Sequence, residues 1–273
     1  MTDVVVLIGA GSIGQAIARR VGAGRTVLIA DLHPAGARAA AETLADAGFV
    51  TEVAGVDVAD AESVAALAAR ASALGDVTHV IHAAGVSQVQ ATAEQVVAVD
   101  LVGTALVLDA FGAIVAPGGS GIVVASQAGH MMPPLSPEQR AALGQTPAGE
   151  LAALPWLKEL PNSGAAYGVA KQANAARVQY QAPVWGDRGA TLNSISPGVI
   201  ITPLAREEMA GPGAEGYRQM LAASAAGRAG TPDEIGEICA FLMGQRFITG
   251  SDLLADGGVI AAMAVGRYTL PGM

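Results

Sequence analysis

Cysteine is almost missing from this chain: Cys239 is the only one in 273 residues. No disulfide can close within the chain and no cysteine-based metal site can be built. That fits a reducing compartment. Charge is scarce as well. Asp, Glu, Lys and Arg make up 14% of the residues, with a net charge of −9. An acidic chain without blocks of Lys and Arg argues against nucleic acid and against anionic membranes as partners. No basic segment precedes an apolar run at the start, as a secretory signal would have. The longest apolar candidate, 96–116, is broken by Asp100, Thr104 and Asp109, so no membrane span is expected. The four histidines, His33, His79, His82 and His130, do not pair at metal-ligand spacing, and no metal is expected. The expectation is a cytoplasmic protein with no nucleic-acid and no membrane partner.

What the chain does have is apolar residues, 52% of the total. Its length suits one large α/β domain or two small ones, and a single domain of that size buries roughly three quarters of its unfolded surface. Short β-branched runs at 3–8, 26–30, 50–57, 77–83, 120–126, 190–196 and 250–255 read as buried strands. Between them, 13–21, 35–47, 60–74, 94–115, 164–185 and 232–243 read as helices, with a helical lid at 202–226. Strict alternation of this kind predicts a single doubly wound Rossmann domain over 1–273, with about seven parallel strands and helices on both faces. One segment breaks the rhythm. The proline-rich stretch 130–163 separates the fifth strand from the next helix, as an active-site lid or an insertion would.

The first strand runs into GAGSIG. Gly9, Gly11 and Gly14 have the G-x-G-x-x-G spacing between a strand and a helix, with Asp31 closing the next strand. Gly9 permits the tight turn, Gly11 lets backbone approach a pyrophosphate, and Gly14 lets helix and strand pack closely. The helix start, with Ser12 and Ile13, offers free N–H groups and a positive dipole end to the phosphates. A carboxylate at Asp31 accepts from both adenosine ribose hydroxyls and repels a 2′-phosphate, so NAD is expected over NADP. Asp57 and Val58, at the end of the third strand, are placed to meet adenine; a plain turn is the alternative for Asp57. The small residues Ala83, Ala84 and Gly85 follow the fourth strand and let the ribose lie against backbone.

The second constellation moves protons. YGVAK sets Tyr167 and Lys171 four apart on one helical face. A free tyrosine ionises near pH 10; a neighbouring cation favours tyrosinate and makes it a usable acid/base toward a carbinol or carbonyl oxygen. Ser126 closes the fifth strand, at the sheet edge where ligands bind, and its hydroxyl suits the substrate oxygen. Pro197 and Gly198 turn the chain after the sixth strand, where it can cross the nicotinamide.

Taken in order, GAGSIG, Asp31, VDV, HAAG, Ser126, YGVAK, SPG with Thr202, and TGSDLLADGG resemble the short-chain dehydrogenase/reductase family over essentially the whole chain. The resemblance implies hydride exchange with a secondary alcohol or ketone, Ser126 as substrate-oxygen donor and Tyr167 as acid/base. It implies that Lys171 binds the nicotinamide ribose and that Val199 and Thr202 contact the carboxamide. Three departures stand out. The glycine loop is one residue shorter than the family's usual one. Asp100 stands where the family usually has an asparagine that helps link the lysine to solvent, and is taken here as a fourth catalytic residue. Ser126 and Tyr167 are 41 residues apart, far beyond the usual spacing. The excess at 130–163 resembles an insertion in the bacterial 3α-hydroxysteroid dehydrogenase/carbonyl reductase subgroup, where it can cover a subunit contact.

On that basis the partners expected are a small, apolar alcohol or ketone and a second copy of the chain, as a homodimer or homotetramer. Met131, Met132, Leu135, Leu154, Trp156 and Leu157 either line a substrate pocket or pack the insertion down. His130 reads as a surface loop histidine, with a substrate contact as the alternative, and Asp252 and Asp256 as turn residues. The tail 259–273 reaches a neighbour or packs on its own subunit. Two other readings remain: an NAD-binding regulator or scaffold with little turnover, and an epimerase or dehydratase of the extended type.

Overall fold

The seven apolar runs form one parallel sheet with helices packed on both faces, and the strands at its two edges are only partly buried. The computed structural model describes residues 2–211 and 214–269. The strands are β1 (Asp3–Ile8), β2 (Thr26–Asp31), β3 (Val50–Gly55), β4 (Asp76–His82), β5 (Ser120–Val124), β6 (Thr191–Pro197) and β7 (Asp252–Ala255). They lie in the order β3-β2-β1-β4-β5-β6-β7, all parallel. The order reverses between β1 and β4, and ligands of such sheets bind outside the strand ends at that point.

Along β1 the side chains divide strictly by period two. Val4, Val6 and Ile8 enter one core with Leu28, Val80, Phe111, Val178 and Trp185. Val5 and Leu7 enter the other with Ile17, Ile29, Ile81, Ile195, Cys239 and Leu242. The second core packs α1 (Ser12–Val21), α2 (Pro34–Asp46) and α12 (Pro232–Gly244). The first packs α3 (Ala61–Leu74), α5 (Thr104–Gly112) and α9 (Ser163–Gly186). Cys239 is buried there, and burial pushes its thiol up to about 12, so it is a packing residue.

The helix expected at 94–115 is not uniform. It begins as α4 (Ala93–Val96), widens into a π segment (Val97–Gly103) and continues as α5. The stretch Ala93–Gly112 is long and apolar enough to cross a membrane, but 56% of its most apolar window is buried within the fold.

Residues 130–163 are an ordered subdomain. Short α6 (Gln127–Met131) precedes α7 (Pro137–Gln145), α8 (Ala148–Leu151) and a 3₁₀ turn (Pro155–Glu159). Ser136 and Gln139 cap α7 reciprocally. Leu143, Ala148, Leu151 and Leu157 pack on Val96, Leu101, Ala105, Val169 and Ala173, joined at the margin by Met132, Leu135, Leu154 and Trp156. Of the two readings of these apolar residues, packing therefore holds for all but Met131. Arg177 clamps the subdomain, donating to the Thr146 carbonyl at 2.6 Å and to the Asp109 carboxylate at 3.1 Å. The segment expected to be a helical lid contains α10 (Pro203–Ala210) and α11 (Ala214–Ala223); residues 212 and 213 of the expected 202–226 lie outside the described residues. The tail begins with α13 (Val259–Ala264) and buries Tyr268; residues 270–273 of the expected 259–273 lie outside the description.

Candidate active site

The glycine loop is built as its spacing implies. Gly9 has φ +94°, and a Cβ there would collide with the backbone of Ala83 and Ala84. A Cβ on Gly14 would lie 2.6 Å from the Gly9 carbonyl oxygen and 2.7 Å from the Leu7 side chain. Gly11 differs: nothing lies within 4 Å of its would-be Cβ. It sits in front of α1, whose N-terminus has no side-chain cap and no acidic residue in its first turn. The space beside Gly11 and the uncapped start of α1 fit a phosphate group and leave the dipole end for it.

Asp31 has a second role beside the expected one. Its Oδ2 accepts from the Ala10 N–H and its Oδ1 from the His33 N–H, each at 2.8 Å. It braces the glycine loop and still has lone pairs on both oxygens for ribose hydroxyls. Asp57 takes the turn alternative with one oxygen, which accepts from the Ala59 N–H at 2.9 Å; Val58 is buried beside it.

Ser126 lies two residues beyond β5 and caps α6, its Oγ accepting from the Ala128 N–H at 3.1 Å. The hydroxyl proton remains available for another acceptor. A Cβ on Gly129 would lie 2.9 Å from the Gln172 nitrogen, so α6 rests directly on the α9 turn that carries Lys171. Tyr167 is half-buried on α9, with the Lys171 Nζ 5.2 Å from its ring centre.

The departure at Asp100 becomes a contact. Lys171 Nζ donates to Asp100 Oδ1 at 2.8 Å, with the two residues only 5% and 1% exposed. Asp100 Oδ2 accepts from the Val86 N–H at 3.1 Å, and Gly85 leaves the space: a Cβ there would lie 2.5 Å from Asp100 Oδ1. Burial pulls the Lys171 ammonium down, but the Asp100 carboxylate, Tyr167 and the hydrogen bond outweigh it and hold its pKa above the ordinary value. The π segment turns the Asp100 carbonyl toward two more donors. Thr104 Oγ1 donates to it at 2.8 Å, and the Asn174 amide, in the orientation that satisfies its neighbours, donates at 2.8 Å. Behind Thr104, His82 Nε2 bonds Oγ1 at 3.0 Å.

Beyond β6, Gly198 donates to the Ala255 carbonyl at 3.0 Å, and a Cβ there would lie 2.6 Å from the Asp256 Cα. Pro197 is the last residue of β6. The Val199 carbonyl accepts from the Gly230 N–H, and Thr202 Oγ1 accepts from the Ala205 N–H at the start of α10. One expectation is corrected nearby. His130 is exposed, as a surface histidine would be, and is paired, its Nε2 lying 2.8 Å from Asp252 Oδ2. Asp252 is not a turn residue: it also accepts from Ser194 and Ser196, because β6 and β7 point these side chains to one face. Asp256 does serve a turn, accepting from the Gly258 and Ile260 N–H groups.

A family model described as enoyl-(acyl carrier protein) reductase matches residues 9–141 and 152–260. The short-chain dehydrogenase/reductase bsc3 of Alternaria brassicicola is 37% identical over 264 residues, covering 95% of this chain and 96% of that protein. The chain belongs to the short-chain dehydrogenase/reductase family. A D-threitol dehydrogenase from Mycolicibacterium smegmatis is 32% identical over 275 residues, covering 93% of this chain and 92% of that protein. In fold, a short-chain type dehydrogenase/reductase from Mycobacterium ulcerans superposes with a TM-score of 0.74 at 22% identity, over 95% of this chain and 90% of that one.

As a short-chain dehydrogenase/reductase the protein is an oxidoreductase that uses a nicotinamide dinucleotide, NAD or NADP, and exchanges hydride at a CH–OH or C=O carbon. Its glycine loop and the uncapped α1 suit that cofactor. The stretch the family model passes over, 142–151, falls inside the subdomain over α9. Sequence reasoning missed Thr104, Asn174 and His82, which complete the setting of Asp100. Asn174 stands one turn beyond Lys171 on α9, and that spacing was the available signal.

Proposed function

We propose that the protein is an NAD-dependent dehydrogenase or reductase of a secondary alcohol or ketone with an apolar skeleton, with Ser126, Tyr167, Lys171 and Asp100 at its centre. The observation that carries the reading is the buried Lys171–Asp100 pair beneath Tyr167. When bound, the nicotinamide supplies or accepts the hydride. Ser126 holds the substrate oxygen by donating its hydroxyl proton. Tyr167 takes the carbinol proton in oxidation and returns it in reduction. Lys171 favours tyrosinate by its charge and reaches the nicotinamide ribose. Asp100 keeps Lys171 charged in a place where burial alone opposes charge.

Gly9, Gly11, Ser12, Ile13 and Gly14 would hold the pyrophosphate. Asp31 would hold the adenosine ribose, Asp57, Val58, Ala83, Ala84 and Gly85 the adenosine surroundings, and Pro197, Gly198, Val199 and Thr202 the nicotinamide. The choice of NAD rests on the Asp31 carboxylate, which a 2′-phosphate would meet as a like charge. A steroid-like skeleton is supported by the ordered subdomain before Tyr167. It is also supported by 33% identity over 102 residues, 36% of this chain, to a 3α-hydroxysteroid dehydrogenase/carbonyl reductase of Comamonas testosteroni. The same subdomain covers the outer face of α5 and α9, so a homodimer formed elsewhere is proposed, in the cytoplasm.

The test is NADH formation from NAD⁺ with a panel of hydrophobic secondary alcohols, steroids included, beside a parallel set with NADP⁺. Turnover restricted to NAD⁺ supports the reading, and a preference for NADP⁺ contradicts the role of Asp31.

A further inference from the structure

Ser163, Tyr167 and Lys171 stand four apart on α9, so their side chains share one face of that helix. The outer two are tied to one stretch of chain. Lys171 Nζ donates to Asp100 Oδ1, and Asp100 Oδ2 accepts from the Val86 N–H. Ser163 Oγ donates to the Gln88 carbonyl at 2.7 Å. Val86 and Gln88 belong to the loop 85–92 that leaves β4. It bends into a turn, the Gln90 and Ala91 N–H groups each donating to the Ser87 carbonyl at 3.0 Å, and ends at Thr92, the cap of α4. The loop lies against the start of α9: a Cβ on Gly164 would lie 3.4 Å from Gln88 Oε1. Val86, Ala91 and Tyr167 all pack at the margin of the apolar cluster beneath the subdomain. Tyr167, the middle member of the face, is half-buried between the two ties.

We propose that Ser163 is a positioning residue: it fixes the 86–91 wall beside Tyr167, and so sets the width of the cleft in which the substrate lies between that wall and Ser126. This rests on the redox reading of the site given above. The inner end of the loop is held at Val86 by a buried carboxylate, and its far end by the cap of α4. Ser163 gives the stretch between them its hydrogen bond to the catalytic helix. Lys171 and Asp100 keep their own bond without that tie, so the chemical step is spared. A looser wall weakens the hold on substrate and transition state alike, which raises KM and leaves kcat. The dinucleotide is held by other elements, the glycine loop and the chain beyond β6, so its affinity stays.

The experiment measures NADH formation from cyclohexanol, 1-phenylethanol and androsterone by the wild-type protein, Ser163→Ala and Ser163→Thr, with NAD⁺ affinity and melting temperature for each. With the alcohol the wild type oxidises best, Ser163→Ala is expected to raise KM by about two- to tenfold, the worth of one such hydrogen bond. Its kcat and NAD⁺ affinity are expected to stay within about twofold of the wild type. Ser163→Thr keeps the hydroxyl and is expected to restore KM. An unchanged KM in Ser163→Ala, a Thr variant no better than the Ala one, or a loss of NAD⁺ affinity in step with Tm overturns the assignment of Ser163 alone. No oxidation of any of these alcohols by wild-type protein that binds NAD⁺ overturns the redox reading for apolar alcohols, and this inference with it.

Discussion

Asp100→Asn puts the family's usual residue into the buried pair, and here it is predicted to harm. Two donors converge on the carboxylate: Lys171 Nζ on Oδ1 at 2.8 Å and the Val86 N–H on Oδ2 at 3.1 Å. An asparagine has one acceptor oxygen, so its NH₂ would face one of these donors while Lys171 loses its counter-charge. Removing one partner of a buried pair costs about 3–5 kcal/mol, which for a domain of this size lowers Tm by roughly 5–9 °C. The kinetic effect has a definite sign. Without Asp100, burial pulls the Lys171 ammonium down, so its charge is lost from the alkaline side first. The pH optimum for alcohol oxidation therefore moves to lower pH, and kcat/KM at neutral pH falls by at least about tenfold. Thermal melts and a pH profile of kcat/KM read both effects. An Asp100→Asn protein with the wild-type Tm and equal or higher kcat/KM at every pH would refute the reasoning, since the carboxylate would then be dispensable.

Other outcomes follow from the same geometry. Gly11→Ala should fold with an apo Tm close to the wild type, because nothing lies within 4 Å of the new methyl, yet lose affinity for NAD⁺ in calorimetry; Gly9→Ala, at φ +94° and against Ala83 and Ala84, should fail to fold. Asp31→Ser should narrow the NAD/NADP preference and, by releasing the Ala10 N–H, loosen binding of both dinucleotides. His82 is lowered to about 3 by burial and by Lys171, against an ordinary value of 6.5. Below pH 6.5 the unfolded chain therefore gains a proton that the folded one refuses, and stability falls by about 1.4 kcal/mol per pH unit until pH approaches 3. Urea melts between pH 7 and 5 should show a shallower loss in His82→Asn; an unchanged slope would remove His82 from the account.

The sheet was legible because most strands are short β-branched runs and several are closed by a glycine or an aspartate, and every strand end falls within two residues of expectation. The glycine loop was legible from its spacing: Gly14 is demanded by Gly9 and Leu7 within one βα turn, although Gly9 is demanded by its φ of +94° and by Ala83 and Ala84 beyond β4. What escaped is long-range. His130 and Asp252 are 122 positions apart and meet only because α6 lies against β6 and β7. The ordering of 130–163 depends on α9 presenting Val169, Ala173 and Arg177 to it, which its own proline-rich composition does not reveal. The π segment is hidden in a run that has an ordinary helical pattern. Its consequence, a carbonyl of Asp100 met by Thr104 and Asn174, needs coordinates to be seen.

The central claim is that Tyr167 exchanges the substrate proton above the Lys171–Asp100 pair. Its most direct test is Tyr167→Phe, assayed for NADH formation with whichever secondary alcohol the wild type oxidises, and for NAD⁺ binding by calorimetry. The phenol is predicted to be needed for turnover and not for folding. The variant should bind NAD⁺ within a few-fold of the wild type and lose about 10²–10⁴ in kcat. Undiminished turnover by Tyr167→Phe would contradict the account at its core.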